Sequence, residues 1–228
     1  MSGYGVCLNQ KEEKMKTLLK GIKNRLFVCL IVAAIVTYLP GSYQSATNNT
    51  EEIVDWGKIK SSFDAYLEYP SPENAKAFSD TLPTDYVKVD TETARKVVHY
   101  IYTFRNYAIL KNEIWAGDRY STEAAFRLIN VADGAFGETL DMTLGTLVRI
   151  NPGLFLEVLY EYKDLWLFKY KGYPVYGVGY GYYDRTNARI YDYRLRIKAL
   201  ESVKYPKYSE IIKACVSQLN EAIRELSN

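Results

Sequence analysis

Hydrophobic positions recur every three or four residues through most of the chain after residue 50, which predicts a series of amphipathic helices. Ser71-Pro72 and Asn151-Pro152 each combine a capping side chain with a proline suited to the first helical position, so each predicts a helix start. The apolar spacing from Thr91 to Ala116 predicts the longest helix, and Gly117 is placed to end it. Most of the chain is therefore predicted to be helical.

Three helices with short joints are predicted between Ser121 and Tyr170. Ser121 is expected to cap the first of them, and the last, from Leu154 to Tyr170, carries apolar residues around most of its circumference and should be heavily buried. This rhythm resembles HEAT-like α-solenoid units in style, although no repeat signature aligns. Two more amphipathic helices are predicted at the C-terminal end. The pattern thus predicts an all-α fold, either a multi-helix bundle or a short HEAT-like α-α solenoid of about eight helices.

One apolar run, Leu26 to Leu39, has a different character. It contains fourteen uncharged residues and follows a basic segment that ends at Arg25. Because a membrane-spanning helix usually needs about 20 apolar residues, the run predicts a secretory signal peptide, with cleavage after Ala46 as the working assignment. The alternative is an uncleaved N-terminal anchor, and Met15 is an alternative start. In either case the basic flank keeps the N-terminus cytoplasmic, so residues 47–228 are expected to form one exported domain, periplasmic or extracellular.

Composition limits what this exported domain is expected to bind. The leader, residues 1–46, holds six of the 29 basic residues and two of the 27 acidic ones, which leaves 23 basic against 25 acidic and argues against a nucleic-acid partner. Cys215 is the one cysteine outside the leader, so no intramolecular disulfide is expected, and its helical neighbours predict a buried, inert thiol. His99 is the single histidine, so no metal site and no cofactor are predicted.

The segment from residue 170 to residue 193, here called the Tyr/Gly stretch, holds eight tyrosines interrupted by glycines. It predicts a long irregular loop and permits a short β-hairpin. Because tyrosine combines a rigid aromatic face with a polar tip, we expect a contact surface. Its predicted residues are Tyr173, Tyr176, Tyr180, Tyr182 and Tyr183, with Arg185 and Arg189 orienting an acidic partner. The alternative is that the tyrosines pack on the helical body.

Residues 185–196 are expected to place four charged residues on one face of a helix that begins near Thr186. These residues are Arg185, Arg189, Asp192 and Arg196. In one interpretation the face is a basic edge for an anionic partner. In the other it is solvated, with Asp192 pairing Arg189 and Arg196.

No catalytic motif is present: the chain has no GxSxG, HExxH or CxxC sequence and no calcium-binding loop. Two acid pairs, Glu138/Asp141 and Glu157/Glu161, stand at helical spacing. The sequence therefore favours a non-catalytic envelope or periplasmic interaction module, whose partner is an unidentified envelope protein or small ligand. The module would contact the membrane only through residues 26–39, and only if the signal segment is not cleaved. The alternatives are a small-ligand or glycan-binding protein using the same tyrosines, an envelope hydrolase using Glu157 and Glu161, and a structural part of a larger assembly.

Overall fold

The computed structural model describes residues 54–165, 168, 172–178 and 185–228. The predicted leader, the proposed cleavage site and three of the predicted contact tyrosines, Tyr180, Tyr182 and Tyr183, lie outside the described residues. Residues Ile53–Asn228 form one compact unit, which carries its own hydrophobic core.

Within the described residues the fold is all-α, as the hydrophobic periodicity predicts, with nine α-helices and no strand. They are α1 Trp56–Glu68, α2 Pro72–Thr81, α3 Glu92–Tyr102, α4 Phe104–Ala116, α5 Arg119–Leu128, α6 Gly134–Ile150, α7 Pro152–Tyr162, α8 Thr186–Ser202 and α9 Ser209–Ser227, with a single 3₁₀ turn at Pro206–Tyr208. The hairpin that the glycines permit is absent from residues 172–178 and 185–193, the described part of the Tyr/Gly stretch.

Several helix ends lie where the local sequence places them. The Ser71 hydroxyl accepts a hydrogen bond from the Asn74 amide, and the Asn151 side chain accepts one from the Leu154 amide, in each case with proline next in the chain. Gly117 ends α4 with φ at +96°, a left-handed conformation that glycine adopts without steric cost. These ends are predictable because each cap is made by residues within one turn.

The helix predicted from Thr91 to Ala116 is in fact two helices, α3 and α4. The break falls at Thr103, whose backbone is not helical (ψ 142°) and whose hydroxyl donates to the Tyr100 carbonyl at 2.9 Å. The Asn106 side-chain amide donates to the same carbonyl, also at 2.9 Å. These two side chains take the place of the backbone amide that would bond to the Tyr100 carbonyl in a continuous helix. The spacing of apolar residues does not reveal such competition between side chains and backbone. Phe104 begins the second helix and is 92% exposed.

Two further predicted helix bounds were wrong. Asp118, not Ser121, caps α5, since its carboxylate accepts from the Ser121 amide at 2.6 Å. The buried helix expected to reach Tyr170 ends at Tyr162. Helix α7 is therefore shorter than the sequence indicates.

Several helices pack against partners that are not next to them in the chain. Helices α1 and α2 pair, α2 packs on α5, α5 on α7, and α7 contacts α6, α8 and α9. The core runs from Phe63 and Phe78 through Phe126 and Phe155 to Leu219, all fully buried. Each such side chain contributes about 1.5–3 kcal/mol through burial. This arrangement is compatible with both a bundle and a short solenoid, and it leaves α6, α8 and α9 to hold the Tyr/Gly stretch.

Candidate functional site

Residues 172–178 are held against the helical body by three side chains. The Arg196 guanidinium donates to the Val175 carbonyl at 2.6 Å, and the Tyr193 hydroxyl donates to the Tyr176 carbonyl at 3.0 Å. The side-chain oxygen of Gln218 accepts from the Tyr173 amide at 3.1 Å. Val175 is fully buried. Helices α8 and α9 thus fix the path of this irregular segment by bonding its backbone.

Two glycines allow this segment to lie directly on α6. A Cβ atom on Gly177 would collide with the α6 backbone at Asp141 and Met142. A Cβ atom on Gly145, within α6, would come to 2.7 Å from the Gly177 carbonyl oxygen and would collide with the Arg196 guanidinium. Only glycine permits so close an approach of two backbones. The glycines here serve packing, which the sequence alone could not distinguish from loop flexibility.

A buried ion cluster lies beneath the segment. One oxygen of Asp192 is 2.6 Å from the Arg196 guanidinium, and the other is 3.2 Å from that of Arg149. Arg196 is 3% exposed and Asp192 is 9% exposed, so the solvated-face interpretation of these two residues was wrong. Burial lowers the pKa of Arg196, which the negative charge of Asp192 opposes. The pairing of Asp192 with Arg196 was predicted; its contact with Arg149 of α6 depends on tertiary packing.

A pocket of about 230 Å³ lies between the N-terminal half of α6 and the held segment. Three acidic residues, Asp133, Glu138 and Asp141, and three aromatic residues, Phe168, Tyr173 and Tyr176, line it together with Ile129, Ala132 and three glycines. Among the described residues that line the pocket, none is basic. The pocket therefore combines acidic side chains with aromatic rings.

The two tyrosines differ in how they meet this pocket. Tyr173 is half-buried and makes a T-shaped ring contact with Phe168 at a centroid distance of 5.7 Å, whereas Tyr176 is 38% exposed. Burial raises the pKa of Tyr176, and the Asp141 carboxylate raises it further. Asp141 and Tyr176 line the same pocket, so the carboxylate adds negative charge to the surroundings of the phenol.

The structure brings together only part of the predicted contact surface. Tyr173 and Tyr176 share the pocket, whereas Arg185, which is exposed, and Arg189, which is half-buried, are not among its lining residues. The acid pair Glu138/Asp141 was noticed from its spacing, but nothing in the sequence placed it beside the tyrosines. Asp133 was missed altogether as a site residue. The one local feature of the sequence that could have drawn attention to these acids is the pair of glycines at 134 and 137, in the first turn of α6.

The other acid pair occupies a different environment. Glu157 and Glu161 of α7 both bind Arg119, with oxygen–nitrogen distances of 3.1 Å and 2.7 Å. Arg119 also pairs with Glu123, whose pKa burial raises above its ordinary value. One guanidinium thus joins α5 to α7, which gives these glutamates a role in helix packing.

One chemical expectation, the burial of Cys215, can be compared with the described residues. Cys215 is a fully buried free thiol, as predicted, and burial raises its pKa to about 12. Within the described ranges, no group of three or more His, Cys, Asp or Glu side chains is arranged to hold a metal ion. His99 is exposed on α3.

Comparison of the chain with protein-family models, with curated proteins and with solved structures found no match. Among the helices that the structure describes, none is long and apolar enough to cross a membrane.

Proposed function

We propose that the helical domain is an exported, non-catalytic interaction module whose pocket receives one positively charged side chain, Lys or Arg, of a partner protein. The observation that carries this proposal is the pocket itself, in which Tyr173 and Tyr176 lie with three carboxylic acids. A cation gains from both groups, through ion pairing with carboxylates and through the electron-rich faces of aromatic rings.

The size of the pocket favours a single side chain over a larger ligand. Sites for drug-sized molecules usually enclose ~300–1,000 Å³, whereas this pocket encloses about 230 Å³. A glycan stacking on the tyrosines would need a wider cleft. Tyr176, at 38% exposed, lies at the rim, where a partner backbone would pass.

The proposal also changes the expected charge of the partner at this site. The sequence suggested an acidic partner oriented by Arg185 and Arg189. The lining that the structure describes is acidic instead, so a basic residue of the partner is the complementary group.

Site-specific photo-cross-linking in cells that express the full chain tests this function. A benzoylphenylalanine is placed at position 176, and in a control chain at Tyr69, which is 70% exposed at the end of α1. The expected result is a protein adduct from position 176 alone, with a Lys or Arg close to the cross-linked residue of the partner. The Glu138→Gln/Asp141→Asn variant should reduce the adduct strongly while leaving the helical circular dichroism unchanged.

Two results would contradict the proposal. An adduct of equal yield in the acid-neutralised variant would mean that charge does not select the partner. Specific binding of a free sugar or neutral small molecule, with no protein adduct at position 176, would assign the pocket to a ligand instead.

A further inference from the structure

The turn that joins α8 to α9 forms an open groove of about 500 Å³. We call it the α8–α9 groove, and its lining includes Glu201, Val203, Lys204, Tyr205, Ser209 and Ile212. Among the described residues, none lines both this groove and the acidic pocket beside α6. Sites for small ligands usually enclose ~300–1,000 Å³. The groove is therefore a second site, and unlike the pocket it has the volume of a small-ligand site.

Tyr205 presents an open aromatic ring at this groove. It is 66% exposed, so at least one face of the ring is open to solvent. The ring makes a T-shaped contact with the buried Tyr208 at a centroid distance of 6.1 Å, and Tyr208 in turn contacts Tyr160 at 5.7 Å. These contacts brace Tyr205 from one side. A flat ligand that stacks on the open face therefore meets a platform whose orientation is already set.

The polar groups beside Tyr205 are largely unused within the protein. In the part of the chain that the structure describes, the Glu201 carboxylate and the hydroxyls of Tyr205 and Ser209 form no hydrogen bond or ion pair. Lys204 Nζ donates to the Glu201 carbonyl at 2.6 Å and retains two further donors. The lining thus offers a ligand both acceptors and donors, and its one acid and one base leave it without net charge.

These features favour a sugar over the other usual ligand of an aromatic groove, a proline-rich peptide. One face of a pyranose ring consists of C–H groups, which pack on an aromatic ring, and its hydroxyls both donate and accept hydrogen bonds. A sugar can therefore donate to Glu201 and accept from Lys204. A proline-rich segment offers carbonyl acceptors but no proline N–H, so the Glu201 carboxylate would meet no donor. The absence of net charge in the lining fits a neutral ligand.

We infer that the α8–α9 groove binds a neutral oligosaccharide, with one sugar ring stacked on Tyr205 and its hydroxyls bonded to Glu201, Lys204 and Ser209. Val203 and Ile212, both half-buried, supply apolar surface to the same ring. The groove is open, so further sugar units of the chain extend into solvent. This inference does not depend on the pocket for a basic side chain, because the two sites share no described lining residue.

A proton–nitrogen NMR titration of residues 47–228 tests the inference, since the compact unit that starts at residue 53 carries its own core. The probes are maltohexaose, cellohexaose and chitohexaose, added separately. At least one should shift the amide resonances of residues 201–212 in a saturable way. Tyr205→Ala should raise the dissociation constant of that sugar about tenfold, because the stacking contact is lost, whereas Tyr205→Phe keeps the ring and should change it little. Glu201→Ala should raise it about fivefold.

A matched control separates stacking on Tyr205 from the loss of any exposed aromatic ring. Tyr191 of α8 is 65% exposed, nearly the same as Tyr205, and is not among the residues that line the groove. Tyr191→Ala should therefore leave the dissociation constant unchanged, and circular dichroism confirms that each variant is folded. Equal losses in Tyr191→Ala and Tyr205→Ala would overturn the assignment to this groove.

Two other results would also refute the sugar site. If none of the three sugars shifts the resonances of residues 201–212, or if the shifts are confined to the pocket at Gly137 and Asp141, the groove does not bind sugar. Decaproline is titrated in parallel as the competing ligand. Saturable shifts of residues 201–212 by decaproline, without shifts by any sugar, would identify a proline-rich peptide as the occupant.

Discussion

The ion pair between Asp192 and Arg196 offers the sharpest test of how the Tyr/Gly stretch is held. In the Arg196→Met variant the 3% exposed guanidinium is lost, which leaves a buried carboxylate 3.2 Å from Arg149 and an unbonded Val175 carbonyl. Removing one partner of a buried ion pair costs about 3–5 kcal/mol, because the remaining charge stays out of water. Asp192→Leu should cost a similar amount, since it leaves the Arg196 cation buried.

The double variant Asp192→Leu/Arg196→Met should be much more stable than the two single losses suggest. Neither buried charge remains, so its cost is that of the unbonded Val175 carbonyl and imperfect packing, about 2–3 kcal/mol. Simple addition of the two single effects would give about 6–10 kcal/mol. Arg149 loses its partner but is 43% exposed and can be solvated.

Urea unfolding of residues 47–228, followed by circular dichroism, measures these free energies of unfolding. A domain of this size is typically stable by about 5–15 kcal/mol, so each single variant should show a clearly lowered midpoint. If the two single effects add within about 0.5 kcal/mol, the two side chains do not interact in the folded protein. That result would refute the buried ion pair and, with it, this account of how the stretch is anchored.

Two further predictions concern single residues. Gly177→Ala should lower the free energy of unfolding by about 1–3 kcal/mol, because its Cβ would press on the α6 backbone. Gly153→Ala, whose Cβ would have its nearest neighbour at 3.8 Å, is the control and should change stability little; equal effects in urea unfolding would contradict the close approach. Cys215 should resist alkylation in the folded domain and react rapidly in urea, because burial raises its pKa from 9.0 to about 12. Above pH 9.0 the thiol ionises in the unfolded chain alone, so the free energy of unfolding should fall as the pH rises towards 12. If the thiol is alkylated equally fast in the folded and unfolded states, it is accessible and this account of Cys215 is wrong.

The fold class and many helix ends could be predicted because their causes are local. Helical periodicity, the Ser71-Pro72 and Asn151-Pro152 starts and the Gly117 end all arise within one or two turns of chain. The break at Thr103 could not be predicted, because two side chains bond to the Tyr100 carbonyl there while the apolar pattern continues without interruption. The candidate site was anticipated only in part. Tyr173 and Tyr176 were named, but their acidic neighbours come from a helix more than thirty residues earlier.

The sequence by itself determined a helical protein with a Tyr/Gly-rich interruption, because periodicity, capping and glycine content act over short distances. Only the tertiary structure decided which charges point inward. Asp192 and Arg196 are buried because Arg149 of α6 and the Val175 carbonyl meet them there, and this rotation of α8 turns Tyr191, Arg194 and Lys198 outward. It also decided that Gly145 and Gly177 lie in contact, and that Tyr173 and Tyr176 share a pocket with the acidic residues of α6. These outcomes depend on contacts between residues twenty to fifty positions apart, which no local pattern encodes.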